Sequence, residues 1–124
     1  MTVELLQGNQ RTAVGQGMTS RRIFGSPDGS WTQPIFIEWE LSRAAWTDRH
    51  PYDEFNFILE GELHVQSGDE VVVARAGDLV RVSADSEGHY FAPVYARMLA
   101  IYDHNPDRAT STFGGLARLD DDEN

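Results

Sequence analysis

The chain reads as an all-β sandwich or barrel, and three observations predict this. Short alternating or β-branched runs recur at close spacing along the chain. Turn clusters rich in Gly, Asp and Pro separate them, as in small β-sandwiches and barrels. No segment sustains a helical period of apolar residues, and no repeat or low-complexity tract is present. At 124 residues the chain is long enough for one domain with one real core. That domain is expected over 1–119, with its core in about 35–104.

Val3–Leu6 and Thr12–Val14 read as short strands in a segment broken by Gly8, Gly15 and Gly17. Arg21–Phe24 reads as another, closed by the turn cluster Gly25-Ser26-Pro27-Asp28-Gly29. Ile35–Leu41 alternates, placing Ile35, Ile37, Trp39 and Leu41 on one face. Ala44–Pro51 is read as a loop that delivers Asp48 and His50. Phe55–Leu59 and Glu62–Gln66 read as a hairpin across Glu60-Gly61, with His64 opposite Phe57. Ser67-Gly68-Asp69 is a turn before the strand Glu70–Ala74, and Ala76-Gly77-Asp78 a turn before Leu79–Val82. Ala84–Gly88 is read as loop, and His89-Tyr90-Phe91 leads into Pro93. Ala96–Tyr102 is a strand stopped by Asn105-Pro106-Asp107. Thr110–Leu119 is given no assigned structure, and the acidic terminus 120–124 is expected to be disordered.

Composition removes several function classes. All ten basic residues are arginine, so a Schiff-base lysine, a pyridoxal-phosphate anchor and a P-loop lysine are absent. A formal net charge of -10 repels nucleic acid and anionic membranes. There is no cysteine, hence no disulfide or thiolate nucleophile, and any metal site must use His and carboxylates. No apolar run approaches the length of a membrane span, and the N-terminus lacks a secretory pattern. A cytoplasmic protein with neither nucleic-acid nor membrane partners is expected. Motifs for a serine hydrolase, a dinucleotide fold and a P-loop are missing.

The segment from His50 to Leu63 concentrates the chemistry. His50, Tyr52, Asp53 and Glu54 put an imidazole, a phenol and two carboxylates within five residues. Strand alternation sends Glu54, Asn56 and Ile58 to one face and Phe55, Phe57 and Leu59 to the other. A carboxylate aimed at the core is costly unless a cation, a metal or a histidine pairs with it. The opposite apolar row would leave an exposed patch, so a homodimer is expected to bury it.

Glu54 and Gly61, with His50 before them, resemble the first motif of the cupins, in which two His, a Glu and a later Gly build a metal site. Asp48 stands at the first His position. The second cupin motif resembles Gly77-Asp78, with Ser83 and Asp85 in place of its Pro and Gly, and His89 one residue late. Trp46-Thr47, Tyr52-Asp53-Glu54 and the run Leu59 to Val65 are most similar to the ethanolamine-utilisation type. The resemblance implies a double-stranded β-helix, a jelly-roll-like barrel. It also implies a divalent metal (iron, manganese or zinc) on Asp48, His50, Glu54 and His89.

Three functions remain open on these residues. One is a metal-dependent cupin enzyme acting on a small organic molecule. Another is a metal-free isomerase, cyclase or lyase using His50, Glu54 and Tyr52 for proton transfer. The third is a non-catalytic binding or accessory protein. Asn56, Trp46 and Arg81 are the candidate substrate contacts; either Arg81 or Arg97 turned inward would select an anion.

Overall fold

The computed structural model describes residues 2–119; the expected acidic tail lies outside them. The strands are β1 (Thr12–Gly15), β2 (Met18–Phe24), β3 (Ile35–Leu41), β4 (Ala44–Arg49), β5 (Glu54–Ser67), β6 (Glu70–Arg75), β7 (Leu79–Val82), β8 (Glu87–Ala92), β9 (Ala96–Tyr102) and β10 (Thr112–Arg118). All pairings are antiparallel and no helix occurs among the described residues. One face of the barrel runs β1-β2-β3-β9-β5-β7 and the other β6-β5-β8-β4-β10. This is a double-stranded β-helix.

β5 belongs to both faces. Its first half lies between β7 and β9, its second between β6 and β8. The hairpin expected at Glu60-Gly61 is instead an unbroken strand with an irregularity between Ile58 and Glu60. Gly61 supplies the bend: its φ is +78°, and a Cβ there would lie 2.1 Å from the Tyr95 carbonyl oxygen. Only glycine tolerates that backbone and that approach. The reversal comes later, at Ser67-Gly68-Asp69, after which β6 pairs with the second half of β5. His64 therefore sits opposite Val73 and Phe91, not Phe57.

Three other expectations are corrected. Val3–Leu6 forms no strand, and Val3 and Leu5 are exposed. Ala44–Arg49 is a strand, because β8 and β10 satisfy its backbone groups from both sides. Residues 112–118 are a strand as well, recruited by β4.

Alternation along β3, β5, β8 and β9 fills the interior with Trp39, Leu41, Ile58, Leu63, Tyr90 and Met98 among others. Each such apolar side chain contributes about 1.5–3 kcal/mol on burial. The outer face of β3 carries a different device. Glu38 is buried beneath Arg11, Arg21 and Arg97, and each of them reaches its carboxylate. Burial alone would push Glu38 up, but hydrogen bonds from Arg21 and Arg97 hold it below the usual carboxylate range.

Candidate functional site

The site forms where β4, β5, β8 and β9 bring inward-facing side chains to one end of the barrel. On β5, Glu54, Asn56 and Ile58 are 3%, 1% and 0% exposed, whereas Phe57 on the opposite face is 37% exposed. β4 and its continuation add Trp46, Asp48 and His50. Asp48 and His50 are both buried, so the inner cluster holds two carboxylates around one imidazole.

His50 Nε2 lies 3.1 Å from Asp48 Oδ2 and 3.1 Å from Glu54 Oε1. Its other nitrogen, Nδ1, shares a hydrogen bond with Ser111 Oγ at 2.6 Å. Burial would lower the His50 pKa, but hydrogen bonds to Asp48 and Glu54 outweigh it and raise it to about 9. With no metal bound, the ring is an imidazolium at neutral pH.

Each carboxylate has further donors. Trp46 Nε1 donates to Asp48 Oδ2 at 2.8 Å. Asn56 Nδ2 donates to Glu54 Oε2 at 2.9 Å, and the Tyr90 hydroxyl donates to Oε1 at 3.1 Å. Trp39 Nε1 in turn donates to Asn56 Oδ1 at 2.7 Å. Both halves of Asn56 are thereby committed, and it orients Glu54 rather than meeting a ligand.

Tyr52 stacks on His50, with centroids 4.7 Å apart and planes 17° apart, and its hydroxyl is 3.3 Å from Ser111 Oγ. Burial, reinforced by the Glu54 and Asp48 charges against the opposing Ser111 hydrogen bond, pushes its phenol up to about 12. Burial and the Glu54 carboxylate likewise push Tyr90 well above its ordinary value. Both phenols therefore remain O–H donors at neutral pH.

Two adjoining cavities reach this cluster. One, of about 480 Å³, is lined by His50, Tyr52 and Trp31; the other, of about 190 Å³, by Asp48, Glu54 and Trp46. Ile37, Tyr102 and Phe113 wall both.

Two expected site residues lie elsewhere. His89 faces away from the cluster, with Nδ1 2.8 Å from Thr47 Oγ1 and its ring against Phe91. The register explains this: His89 pairs with outward Thr47, while Tyr90 pairs with inward Trp46. Arg81 is exposed, since inward positions on β7 fall to Val80 and Val82. Arg97 also stays outside, bound to Glu38 and Glu60.

Asp48, His50 and Glu54 remain as a possible metal centre, their donor atoms all within 4.8 Å of one another. Around an ion with bonds of about 2.1 Å, neighbouring donor atoms lie about 3.0–3.4 Å apart. The two 3.1 Å separations from His50 Nε2 fit that spacing. A mixed N/O set of this kind accepts iron, manganese or zinc.

Tyr90, Ser111, Phe113 and Tyr102 were not singled out from the sequence. A signal existed for Tyr90, which alternates with His89. None existed for Ser111 and Phe113, which reach the site only because β10 pairs with β4.

Comparison with known proteins agrees with this architecture. Acetate kinase EutQ of Salmonella typhimurium is 35% identical over 74 residues, 60% of this chain and 31% of that protein. Acetate kinase EutQ of Escherichia coli is 39% identical over 59 residues, 48% of this chain and 24% of that protein. The chain thus spans less than a third of the length of these curated relatives. The crystal structure of a putative ethanolamine utilization protein EutQ from Salmonella typhimurium superposes with a TM-score of 0.64 at 22% identity. The match covers 82% of this chain and 99% of that one. Residues 37–102, more than half of the chain, match the cupin domain, and the chain belongs to that family.

Proposed function

We propose that this EutQ-like cupin is a divalent-metal-dependent enzyme acting on a compact organic molecule bound in the cavity beside Asp48, His50 and Glu54. The observation that supports this most is the convergence of three buried donor atoms at metal-ligand spacing, next to a cavity large enough for a small ligand. When bound, an ion there supplies Lewis-acid polarisation of a ligand oxygen. Asn56 and Tyr90 hold the Glu54 carboxylate, Trp46 holds Asp48, and Ser111 fixes the His50 ring. Tyr52 keeps its proton and can donate it to a developing oxyanion. Trp31, Tyr102 and Phe113 exclude water from the ligand's apolar parts. The sequence has no lysine to face a transferring phosphoryl group, which counts against the kinase activity named for the relatives.

A metal-free reading has its own observation. His50 Nε2 lies between two carboxylates, an arrangement in which a proton replaces the cation and His50 serves as general acid. Elemental analysis of untagged protein separates the two. A bound divalent ion lost in Glu54→Gln supports the first reading. Metal-free protein whose turnover survives chelators sinks it and favours the second. The reading includes a cytoplasmic location and a homodimer. No helix of the described residues is long and apolar enough to cross a membrane. Phe55, Phe57, Leu79, Leu99 and Ile101 share one outer face by register, supplying an apolar patch for a second copy.

A further inference from the structure

The geometry points to Arg108 as the specificity-determining residue of the larger cavity, selecting a small monocarboxylate with an aromatic or similarly flat apolar body. This rests on the proposal that the ligand occupies this cavity.

Arg108 lines the cavity that also contains His50 and Tyr52, and it is the only arginine doing so among the described residues. Its guanidinium makes no ion pair with a carboxylate among the described residues, although Asp28 lines the same cavity. Asp28 is instead hydrogen-bonded to Ser26. Arg108 is exposed and lines the cavity, and with no carboxylate partner among the described residues it presents a donor fork matched to a carboxylate.

The backbone of the loop that carries Arg108 is braced by its neighbours. Arg108 has φ +58°, a left-handed conformation that is uncommon for a residue with a side chain. Buried Asn105 braces the loop: its amide donates to the Ala109 carbonyl at 2.8 Å, and its side-chain oxygen accepts from the Ala109 N–H at 3.2 Å. Backbone hydrogen bonds tie Asn105 to Trp31 in both directions. Gly29 adjoins the guanidinium: a Cβ there would sit at ordinary contact distance, 4.0 Å from Arg108 Cζ and Nη2.

Charge decides between anions. Asp28 on the same lining, and Asp48 and Glu54 in the adjoining cavity, put negative charge near the Arg108 fork, so a dianion is repelled about twice as strongly as a monoanion. That favours a carboxylate over a phosphate monoester. Trp31, Tyr52, Tyr102 and Phe113 then offer ring faces to a flat body between Arg108 and His50.

Calorimetric titration of the full chain with benzoate, benzamide, inorganic phosphate and, separately, Mn²⁺ tests this. Benzoate is expected to bind at least about tenfold more tightly than benzamide or phosphate. Arg108→Gln should weaken benzoate at least about tenfold while leaving Mn²⁺ affinity and the melting temperature unchanged. Arg108→Lys should recover only part, because it keeps the charge and loses the fork. Benzoate binding that is absent at millimolar concentration, matched by benzamide, or indifferent to Arg108→Gln overturns the inference. Tighter binding of phosphate overturns the choice of carboxylate. Arg108-dependent benzoate binding without any Mn²⁺ uptake supports the anion site and removes the metal reading instead.

Discussion

Replacing Asn56 with leucine tests the polar relay that aims Glu54. The substitution nearly conserves volume at a position 1% exposed, so packing changes little. What it removes is an acceptor for Trp39 Nε1 and a donor to Glu54 Oε2. A buried indole N–H left without an acceptor costs about 1–3 kcal/mol, and a lost hydrogen bond to a charged oxygen about 1.5–3 kcal/mol. Shared partners make such terms non-additive, so the expected loss is about 3–5 kcal/mol, a large share of an ordinary domain's stability. Urea unfolding followed by tryptophan fluorescence measures it. The control is the same substitution in a Trp39→Phe background, where no indole N–H is left to strand. There Asn56→Leu should cost only the Glu54 share, giving a coupling of about 1–3 kcal/mol. Equal losses in both backgrounds, or a loss below about 1 kcal/mol in the parent, would refute the relay.

Burial pushes the Glu40 carboxyl up, but hydrogen bonds from Thr19, Tyr95 and Arg11 outweigh it and hold it at about 2, against an ordinary 4.5. Its folded value is depressed, so its stabilising effect is complete above the ordinary value and is lost as pH falls from there through about 2. Glu40→Gln should flatten that acid limb in pH-dependent melts, and an unchanged limb contradicts the assignment. Gly61→Ala combines a left-handed backbone with a 2.1 Å approach to the Tyr95 carbonyl, so it should lose at least about 2 kcal/mol in denaturant unfolding. A near-neutral result would show that β5 does not bend there. Phe57→Glu places a charge in the apolar outer row and should turn a dimer into a monomer by light scattering; a parent already monomeric at micromolar concentration removes the dimer proposal.

Much of the fold was legible because alternation is a local property. Ile35 to Leu41 and Glu54 to Ile58 place buried and outward residues as a period of two requires, apart from buried Glu38. The exception is instructive: Glu38 lies on the outward face and is buried by three arginines from β2, β9 and the segment before β1. Those neighbours are remote in sequence, so no local pattern announces them. Glu60-Gly61 misled for a related reason. A glycine at positive φ serves a turn or a bulge equally well, and here the choice is made by Tyr95 and Ala96, more than thirty residues on. Likewise β4 looks like a loop until β8 and β10 flank it, and Ser111 and Phe113 join the site only through β10.

His89 shows how one residue of register decides the content of the centre. Directly paired residues in an antiparallel ladder project to the same face. Trp46 and Asp48 point inward on β4, so their partners Tyr90 and Gly88 point inward on β8, and His89 follows Thr47 outward. Gly88 is part of the arrangement: a Cβ there would lie 2.8 Å from the Tyr90 ring, so the small residue makes room for the phenol. Tyr90 then projects inward from β8 and donates to Glu54. A centre with one imidazole depends on its two carboxylates for both charge and donor atoms. On the proposed metal-dependent reading, His89→Ala should therefore leave metal content and ligand binding at the parental level, while Asp48→Asn and Glu54→Gln should each abolish metal uptake. Elemental analysis of the folded variants decides it. If His89→Ala loses metal along with activity, its ring belongs to the centre and the β4–β8 register is wrong.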